Sequence, residues 1–421
     1  MSRNSIARNT LALGGVQVAN LILPLVTLPY LLRVLGPEQF GVYGFSQAIL
    51  AYGVVLTEYG FNLSATQRMA RAQGNQTEIN RIFWSVQAAK ALLALCALSL
   101  LTLAVCVVPQ LWAVWPVMLA STPVILGAVL FPQWLFQGLE RMGFVTLCTI
   151  AARALSIPLI FWWVKTDQDT WRVALIQTSV TVAAGLLAWG LIWHGRMVSW
   201  QRSSLADIGV AMKDGWHIFI STAAISLYTT TNPVVLGFLS NHTAVGLFTA
   251  ADKIRQASQS LFTPFSNAVY PRVSALMAQD ASAGLALVRK VLLIQGGLTL
   301  AISCSLWLLA PWAVHFVMGQ QYEGAVSVLR VLAAVPFLIG LSNVFGIQTM
   351  LPLGLKKHFS RIVMASGLIN LALLFVLVPL WQADGAAAAV LLTEGLVTLT
   401  MAMVLRSADI HLLHLPQLQK I

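Results

Sequence analysis

Five cationic residues lie within or at the ends of long apolar segments of this 421-residue chain: Lys90, Arg153, Lys253, Arg255 and Arg330. A cation at bilayer depth is costly unless it faces water or a partner. Arg153 lies near the middle of the run FVTLCTIAARALSIPLIFWWV, and a guanidinium can bind a phosphate through two N–H groups. These residues predict a polar path through a membrane whose cargo carries negative charge.

Four of these cations also have a structural interpretation. Arg153 could form a salt bridge with Glu58 or Asp252, and Asp252 could be neutralised by Arg255 three residues further on. Lys90 and Arg330 lie near the ends of their segments, where a long side chain reaches the membrane surface. Both interpretations stay open at the level of the sequence.

Two acids at opposite depths in equivalent segments, Glu58 and Asp252, are candidates for ion coupling. Gln47, Glu58 and Asn62 share one face of a predicted helix, because eleven residues at about 100° each return close to the starting direction. Such an acid can bind a proton or Na⁺ when it lacks a charged partner. Glu394 has no local cation and is a less specific candidate.

The elements that must position these residues are membrane-spanning helices. The chain is 58% hydrophobic and 9% charged, against about 25% charged residues in a soluble domain. A spanning helix needs roughly 20 mostly apolar residues. The eighth segment is too polar for hydropathy alone and is retained because of an internal repeat. The predicted fold class is an all-α integral membrane protein with about twelve spans at residues 10–32, 40–59, 82–108, 112–136, 144–164, 173–193, 217–239, 243–269, 288–317, 326–350, 362–381 and 385–405.

The net charge of +11 is distributed unevenly between the loops. Most of the 25 Lys and Arg residues lie in the loops of one side, whereas the other side holds Arg33, Lys165 and Arg172. Cytoplasmic loops carry the excess of Lys and Arg, so both termini are predicted to be cytoplasmic. This asymmetry accounts for the basic composition, and a nucleic-acid partner is not expected.

Two short internal matches predict a duplicated architecture. Residues 41–43 (GVY) align with residues 246–248 (GLF), and this alignment places Gln47 on Asp252. Residues 136–143 (FQGLERMG) resemble residues 351–358 (LPLGLKKH) in the same order. Transporters are often built from such repeats with the substrate site between them. We therefore predict an N-terminal lobe, residues 1–205, and a C-terminal lobe, residues 206–421, with six spans each.

The sequence offers little that would support an enzyme. The four cysteines form no CxxC pair, so neither a disulfide nor a cysteine metal site is expected. The acids of the predicted outer loops show no metal-ligand spacing, and there is no GxxxxGK[ST] sequence for ATP. No metal or cofactor is expected, and the interpretation is a transporter.

Several segments resemble O-antigen translocases, the Wzx-type flippases. They are LPYLLRVLGPEQFGVYGFSQA, TEYGFNLSATQRMAR, WLFQGLERM, ADKIRQA and GQQYEGAVSVLRVL, and they occur in the family's order between about residues 10 and 405. The resemblance implies the multidrug/oligosaccharidyl-lipid/polysaccharide exporter fold, with two six-helix lobes in a V around a central cavity.

The resemblance also implies a cargo and partners. The cargo is an undecaprenyl-pyrophosphate-linked oligosaccharide, moved from the inner to the outer leaflet of the bacterial cytoplasmic membrane, with ion-gradient coupling in several members. The partners are this lipid-linked substrate, membrane lipid, and the polysaccharide polymerase and chain-length regulator of the same pathway. Two alternatives stay open: a multidrug exporter of the same superfamily, and a membrane-embedded polymerase or glycosyltransferase.

Overall fold

The computed structural model describes the backbone of residues 3–410 and 412, and the side chains of this part except those of residues 3–25, 227 and 228. All regular structure in the described residues is helical. By contacts the chain divides into two compact units, Met1–Thr230 and Thr231–Ile421. The lobe boundary between residues 205 and 206 stays a prediction.

Unit 1 contains six predicted spans, built from nine complete helices and the first part of a tenth. Their bounds are α1 Arg3–Glu58, α2 Phe61–Arg71, α3 Gln76–Val107, α4 Pro109–Ala113, α5 Trp115–Ser121, α6 Pro123–Leu130, α7 Gln133–Gly138, α8 Met142–Trp163, α9 Thr170–His194 and α10 Leu205–Leu239. α1 holds the first two predicted spans, and its backbone leaves the helix at Gly36 (φ 70°, ψ 173°). α10 begins at Leu205, earlier than the predicted start at residue 217.

The fourth predicted span, residues 112–136, is not one straight helix. It falls within the four short helices α4 to α7, and each of them begins at or beside a proline: Pro109, Pro116, Pro123 and Pro132. Proline suits the first turn of a helix but removes an internal hydrogen bond further along. The prolines therefore divide the span, which the hydropathy pattern alone did not predict.

Unit 2 contains the last five predicted spans and the end of the seventh, whose larger part lies in unit 1. Its helices, after the end of α10, are α11 His242–Ser260, α12 Thr263–Gln279, α13 Ala281–Ala313, α14 Ala325–Leu332, α15 Val335–Asn343 and α16 Lys356–Ser407. Two π-helical turns, Val314–Met318 and Val344–Met350, extend α13 and α15. α16 holds the last two predicted spans and breaks at Gln382 (φ 47°).

Eight segments of the described residues are long and apolar enough to cross a membrane. The polar eighth predicted span, now α11 and α12, is absent from this set, as the sequence predicted. α16 counts once although it holds two predicted spans. The rest of the difference between eight and twelve lies at α1, which also holds two predicted spans, and at α10, which is not among the eight.

Equivalent hydrogen bonds recur within the two units. In unit 1, Gln87 of α3 donates to the carbonyl of Val129, and in unit 2 Gln295 of α13 donates to the carbonyl of Gly340. Each bond joins the third span of its unit to the fourth. The helices α3 and α13 also have equivalent N-caps, at Asn75 and Asp280. These contacts support the internal duplication.

Candidate functional site

A buried ion pair joins α1 to α3 in unit 1. Lys90 Nζ lies 3.1 Å from Glu58 Oε1, and Asn62 Nδ2 donates to Glu58 Oε2 at 2.7 Å. The Lys90 side chain is 0% exposed and that of Glu58 is 24% exposed. Lys90 is therefore enclosed in the middle of α3 and does not reach a surface, contrary to the prediction that it lies near a span end. Its role as a substrate contact stays a prediction.

The backbone leaves the helix immediately after Glu58. Tyr59 (φ 47°) and Gly60 (φ 76°) both adopt the left-handed conformation. A Cβ on Gly60 would lie 2.6 Å from Ile218 Cγ2 of α10, and the ring of Tyr59 stacks on that of Phe219 at 4.6 Å. Glycine is favoured by both the conformation and the lack of space. The break thus places Glu58 at the end of α1.

The polar face that the sequence predicted on the second span divides at this break. Asn62 hydrogen-bonds to Glu58, as described above, whereas Gln47 donates to Ser121 Oγ of α5 at 3.2 Å. The prediction assumed a continuous helix through residues 59 and 60. Two of the three residues nevertheless lie together, because the break is short.

In unit 2 the predicted acid is paired with the predicted cation. Arg255 Nε donates to Asp252 Oδ1 at 2.6 Å, and its Nη1 donates to Gln259 Oε1. Gln256 Nε2 donates to the other carboxylate oxygen of Asp252 at 2.6 Å. Arg255 is buried, at 9% exposure. In this conformation, then, Asp252 and Arg255 neutralise each other within one turn of α11. The assignments of Asp252 to ion coupling and of Arg255 to anion binding stay predictions.

Lys253 and Arg330 have exposed side chains in the structure. The guanidinium of Arg330 lies over the ring of Trp307 at 5.3 Å from its centroid, as in a cation–π contact. Trp307 is itself 51% exposed. The contact places Arg330 on the outside of unit 2, and its interpretation as a side chain that reaches the membrane surface stays a prediction. Substrate binding by Lys253 and Arg330 stays a prediction.

Arg153 lies at the middle of α8 and is half-buried. Among the described side chains, neither a carboxylate nor any other group forms an ion pair or hydrogen bond with its guanidinium. The alternative of a salt bridge to Glu58 or Asp252 is not what the structure shows, because those acids pair with Lys90 and Arg255. Among the described residues, Lys90 and Arg255 pair with a carboxylate, whereas Arg153, Lys253 and Arg330 do not. Of these three, Arg153 is the half-buried one.

A network of neutral amides in unit 2 was not singled out from the sequence. Ser266 Oγ donates to Asn343 Oδ1 at 2.6 Å, and Gln348 Nε2 donates to Ser266 Oγ at 3.1 Å. Gln295 is also part of this network through Asn343. The Oε1 atoms of Gln295 and Gln348 are buried without a donor among the described residues. The single amide residues inside apolar spans could have indicated this network, since polar groups at this depth require partners.

A second neutral cluster joins α10 to both halves of α16. Asn370 Nδ2 donates to Asn232 Oδ1 at 3.0 Å, and Thr393 Oγ1 donates to Asn370 Oδ1 at 3.3 Å. All three side chains are buried. Glu394 lies next to this cluster in sequence and is 8% exposed. Neutral polar contacts therefore join separate helices of unit 2, whereas in unit 1 an ion pair joins α1 to α3.

The helical units define the class of protein. The chain is similar to the solved structure "Lipid II flippase MurJ, inward closed conformation", with a TM-score of 0.72 at 11% identity, covering 95% of this chain and 87% of that one. It is also similar to an inward-facing multidrug resistance MATE family transporter of the MOP superfamily, with a TM-score of 0.64 at 14% identity, covering 91% and 98%. These similarities show the fold alone: it is the twelve-helix, two-lobe membrane fold, which confirms the predicted fold class.

Sequence similarity identifies the family within that class. Residues 6–277 match the family described as polysaccharide biosynthesis protein, and the chain belongs to this family. It is 41% identical over 403 residues to a provisionally named O-antigen transporter of Escherichia coli (strain K12), covering 96% of this chain and 97% of that one. A protein of the same provisional name from Shigella dysenteriae is 32% identical over 394 residues, covering 94% and 98%. The resemblance to O-antigen translocases is thereby confirmed.

Proposed function

We propose that this protein is a flippase that moves an undecaprenyl-pyrophosphate-linked O-antigen unit from the inner to the outer leaflet of the bacterial cytoplasmic membrane by alternating access. The observation that carries the proposal is the similarity along the whole chain, 41% over 403 residues, to a protein named as an O-antigen transporter. Transport makes and breaks no bond, so we assign no catalytic residues. The polymerase and chain-length regulator of the pathway are proposed partners.

Arg153 is the proposed first contact of the pyrophosphate. A pyrophosphate cannot cross hydrocarbon unaided, because bare charge is too costly to bury. A guanidinium fixed at mid-helix can replace part of its hydration with two parallel N–H bonds. Arg153 is available for this because the described side chains offer it no carboxylate. Lys90, Lys253, Arg255 and Arg330 are proposed as further cations along the path.

A multidrug exporter is the second candidate, since the fold is also that of MATE transporters. The charges favour an anionic cargo. Among the described helices, Glu58 and Asp252 each hold a cation already, so neither is a free anionic site for a cationic drug in this conformation. Arg153 would repel such a drug. We therefore favour the lipid-linked oligosaccharide.

The ion pair between Glu58 and Lys90 is the proposed coupling element in unit 1. Glu58 is partly exposed and Lys90 is not, so a proton or Na⁺ can reach the acid alone. Its binding would remove the negative partner of a fully enclosed ammonium. An ion biases a conformational equilibrium only if its affinity differs between the states. A state that gives Lys90 another partner would bind the ion more tightly. Asp252 is the proposed counterpart in unit 2.

The proposed location is the cytoplasmic membrane with both termini inside, on the basis of the Lys and Arg distribution. A cysteine introduced at Gln168, in the turn before α9, should react with an impermeant thiol reagent in intact cells. A cysteine at Ser203, just before α10, should react only after the cells are opened. The opposite pattern would refute the topology.

The experiment that tests the function is deletion of the gene in its host, followed by complementation. Loss of the flippase should abolish surface O-antigen and cause lipid-linked units to accumulate. Wild type should restore the polysaccharide, and Arg153→Ala should not, although it should insert at normal abundance. The matched control is Arg71→Ala, which removes an exposed cation at the end of α2 and should complement fully. Normal polysaccharide in the deletion strain would refute the proposal.

A further inference from the structure

The segment between α9 and α10, residues 195–204, is held tightly against the start of α3. Asn80 Nδ2 donates to Ser199 Oγ at 2.5 Å, and the Ser199 N–H donates back to Asn80 Oδ1 at 3.0 Å. Trp84 Nε1 donates to the Ser199 carbonyl at 3.0 Å. Gln76 Nε2 donates to the Met197 carbonyl at 2.9 Å. Four hydrogen bonds over three residues make this part of the linker an ordered component of unit 1.

Both ends of the segment are also fixed. Met197 and Val198 are buried in the core of unit 1, at 7% and 9% exposure. At the other end, Asp207 Oδ1 accepts from Arg81 Nη2 at 2.6 Å, and Ser204 Oγ donates to Asp207 Oδ2 at 2.7 Å. Hydrogen bonds from the Ser204 hydroxyl and from Arg81 lower the pKa of Asp207 to about 2. Asp207 precedes the predicted span of α10, and its carboxylate stays ionised at physiological pH.

Two indoles and two guanidinium groups are exposed on this segment and on the last turn of α9. Trp193 and Trp200 are 68% and 77% exposed, and Arg196 and Arg202 are exposed. The side chains of these two arginines have no ion-pair partner among the described residues. The ring of Trp200 is oriented by Trp84, which it meets edge-on at 4.3 Å between centroids. We call these four outward residues the linker surface.

Arg196 occupies a position that normally favours glycine. Its φ is 45°, in the left-handed region. Its N–H donates to the Trp193 carbonyl, and the Met197 N–H donates to the Ile192 carbonyl. This is the Schellman pattern of a helix end, in which the left-handed residue is usually Gly. The side chain of Arg196 is thus presented from a fixed turn even though glycine would relieve the backbone.

We propose that the linker surface binds the phosphate headgroups of anionic phospholipids. Indoles at the ends of apolar helices lie at the depth of lipid headgroups, and the linker surface adjoins the ends of two long helices, α3 and α9. Cations beside the membrane attract anionic lipids, and paired N–H groups match a phosphate. The unpaired arginines supply the charge complementarity, and the rigid attachment to α3 fixes their spacing. The partner is a phospholipid of the bilayer, not the transported cargo.

The experiment measures lipid binding to the purified full-length protein by native mass spectrometry, with phosphatidylglycerol and phosphatidylcholine as probes. Each cation contributes about fivefold in affinity beside an anionic surface, so the double variant Arg196→Gln/Arg202→Gln should bind phosphatidylglycerol about 25-fold more weakly. Its binding of phosphatidylcholine should not change. Arg202→Gln alone should weaken binding about fivefold. Arg202 lies outside the strained turn, so this single variant replaces the double variant in the test if the double variant does not fold.

Two matched controls separate this surface from general charge and general hydrophobicity. Lys356→Gln/Lys357→Gln removes two exposed cations at the start of α16 and should change the affinity less than twofold. Trp200→Leu should weaken binding severalfold, whereas Trp162→Leu, at the same exposure of 77%, should have no effect.

Three results would overturn the proposal. Equal losses in the two double variants would show an effect of net charge alone. Equal affinity of wild type for both lipids would show that no headgroup is selected. Displacement of phosphatidylglycerol by inorganic phosphate at a similar concentration would show a site for a soluble anion.

Discussion

The two members of the buried ion pair in unit 1 should differ strongly in what their removal costs. Glu58→Gln leaves the ammonium of Lys90 without a carboxylate in a place that is 0% exposed. Breaking a buried pair in this way costs about 3–5 kcal/mol. Lys90→Met instead leaves Glu58, which is 24% exposed and keeps the hydrogen bond from Asn62 at 2.7 Å. That loss should be about 1–3 kcal/mol, the usual cost of an unmade hydrogen bond to a partly solvated group.

The double variant Glu58→Gln/Lys90→Met should be more stable than Glu58→Gln alone. Both charges are then absent, and replacement of a whole buried pair is often close to neutral. We expect the double variant to recover at least about 2 kcal/mol of the loss. A strongly non-additive cycle of this kind is the signature of direct contact.

The assay is equilibrium unfolding in mixed detergent micelles, followed by tryptophan fluorescence and by electrophoretic mobility. The control is the pair between Arg81 and Asp207, because the Arg81 side chain is 49% exposed. A pair with an exposed member contributes about 0–1 kcal/mol, so Arg81→Met should cost little. Equal losses for Glu58→Gln and Lys90→Met, or an additive double variant, would refute the assignment of a buried pair.

Four further substitutions test the packing and the proposed cargo contact. Gly127→Ala, whose Cβ would lie 2.1 Å from Thr181 Oγ1, should lower the unfolding free energy by about 1–3 kcal/mol in the same assay. Gly143→Ala, with nothing within 4 Å, should change it by less than about 1 kcal/mol, and a comparable loss there would contradict the packing argument. Gly60→Ala should cost about 2–4 kcal/mol, from backbone strain and overpacking together; unchanged stability would show that the break after Glu58 tolerates a side chain. Arg153→Lys should restore part of the O-antigen that Arg153→Ala loses, because lysine keeps the charge but lacks the planar guanidinium. If the two variants do not differ, the charge of residue 153 has no role.

The sequence predicted the pairing in α11 better than the pairing in α1. Asp252 and Arg255 are three residues apart on one helix, so helical geometry alone brings them together. Glu58 and Lys90 are 32 residues apart, and their contact depends on how α1 packs against α3. No periodicity of either segment contains that information. The same limit applies to Gln295 and Asn343, whose contact depends on the packing of α13 against α15.

Breaks in the helical backbone were the second feature that the sequence did not predict. Hydropathy predicted the fourth span as one helix, yet the prolines from Pro109 to Pro132 divide it into short pieces. The sequence contained these prolines, but proline within a membrane span often only bends the helix, because neighbouring groups satisfy the freed carbonyls. The left-handed turn at Tyr59 and Gly60 was equally hidden, since Tyr59 carries no signal for a positive φ. The apolar spans were predictable from length and hydropathy, whereas the polar eighth span depended on the internal repeat.

Proteoliposomes test the central claim most directly. Purified protein is reconstituted with an undecaprenyl-pyrophosphate-linked oligosaccharide that carries a labelled sugar, and an external glycosidase reports which leaflet holds the label. With wild-type protein, nearly all of the label should become accessible, whereas vesicles with Arg153→Ala or without protein should expose only the outer-leaflet fraction. Equal accessibility in wild-type and protein-free vesicles would contradict the account, and so would the appearance of a new sugar-transfer product.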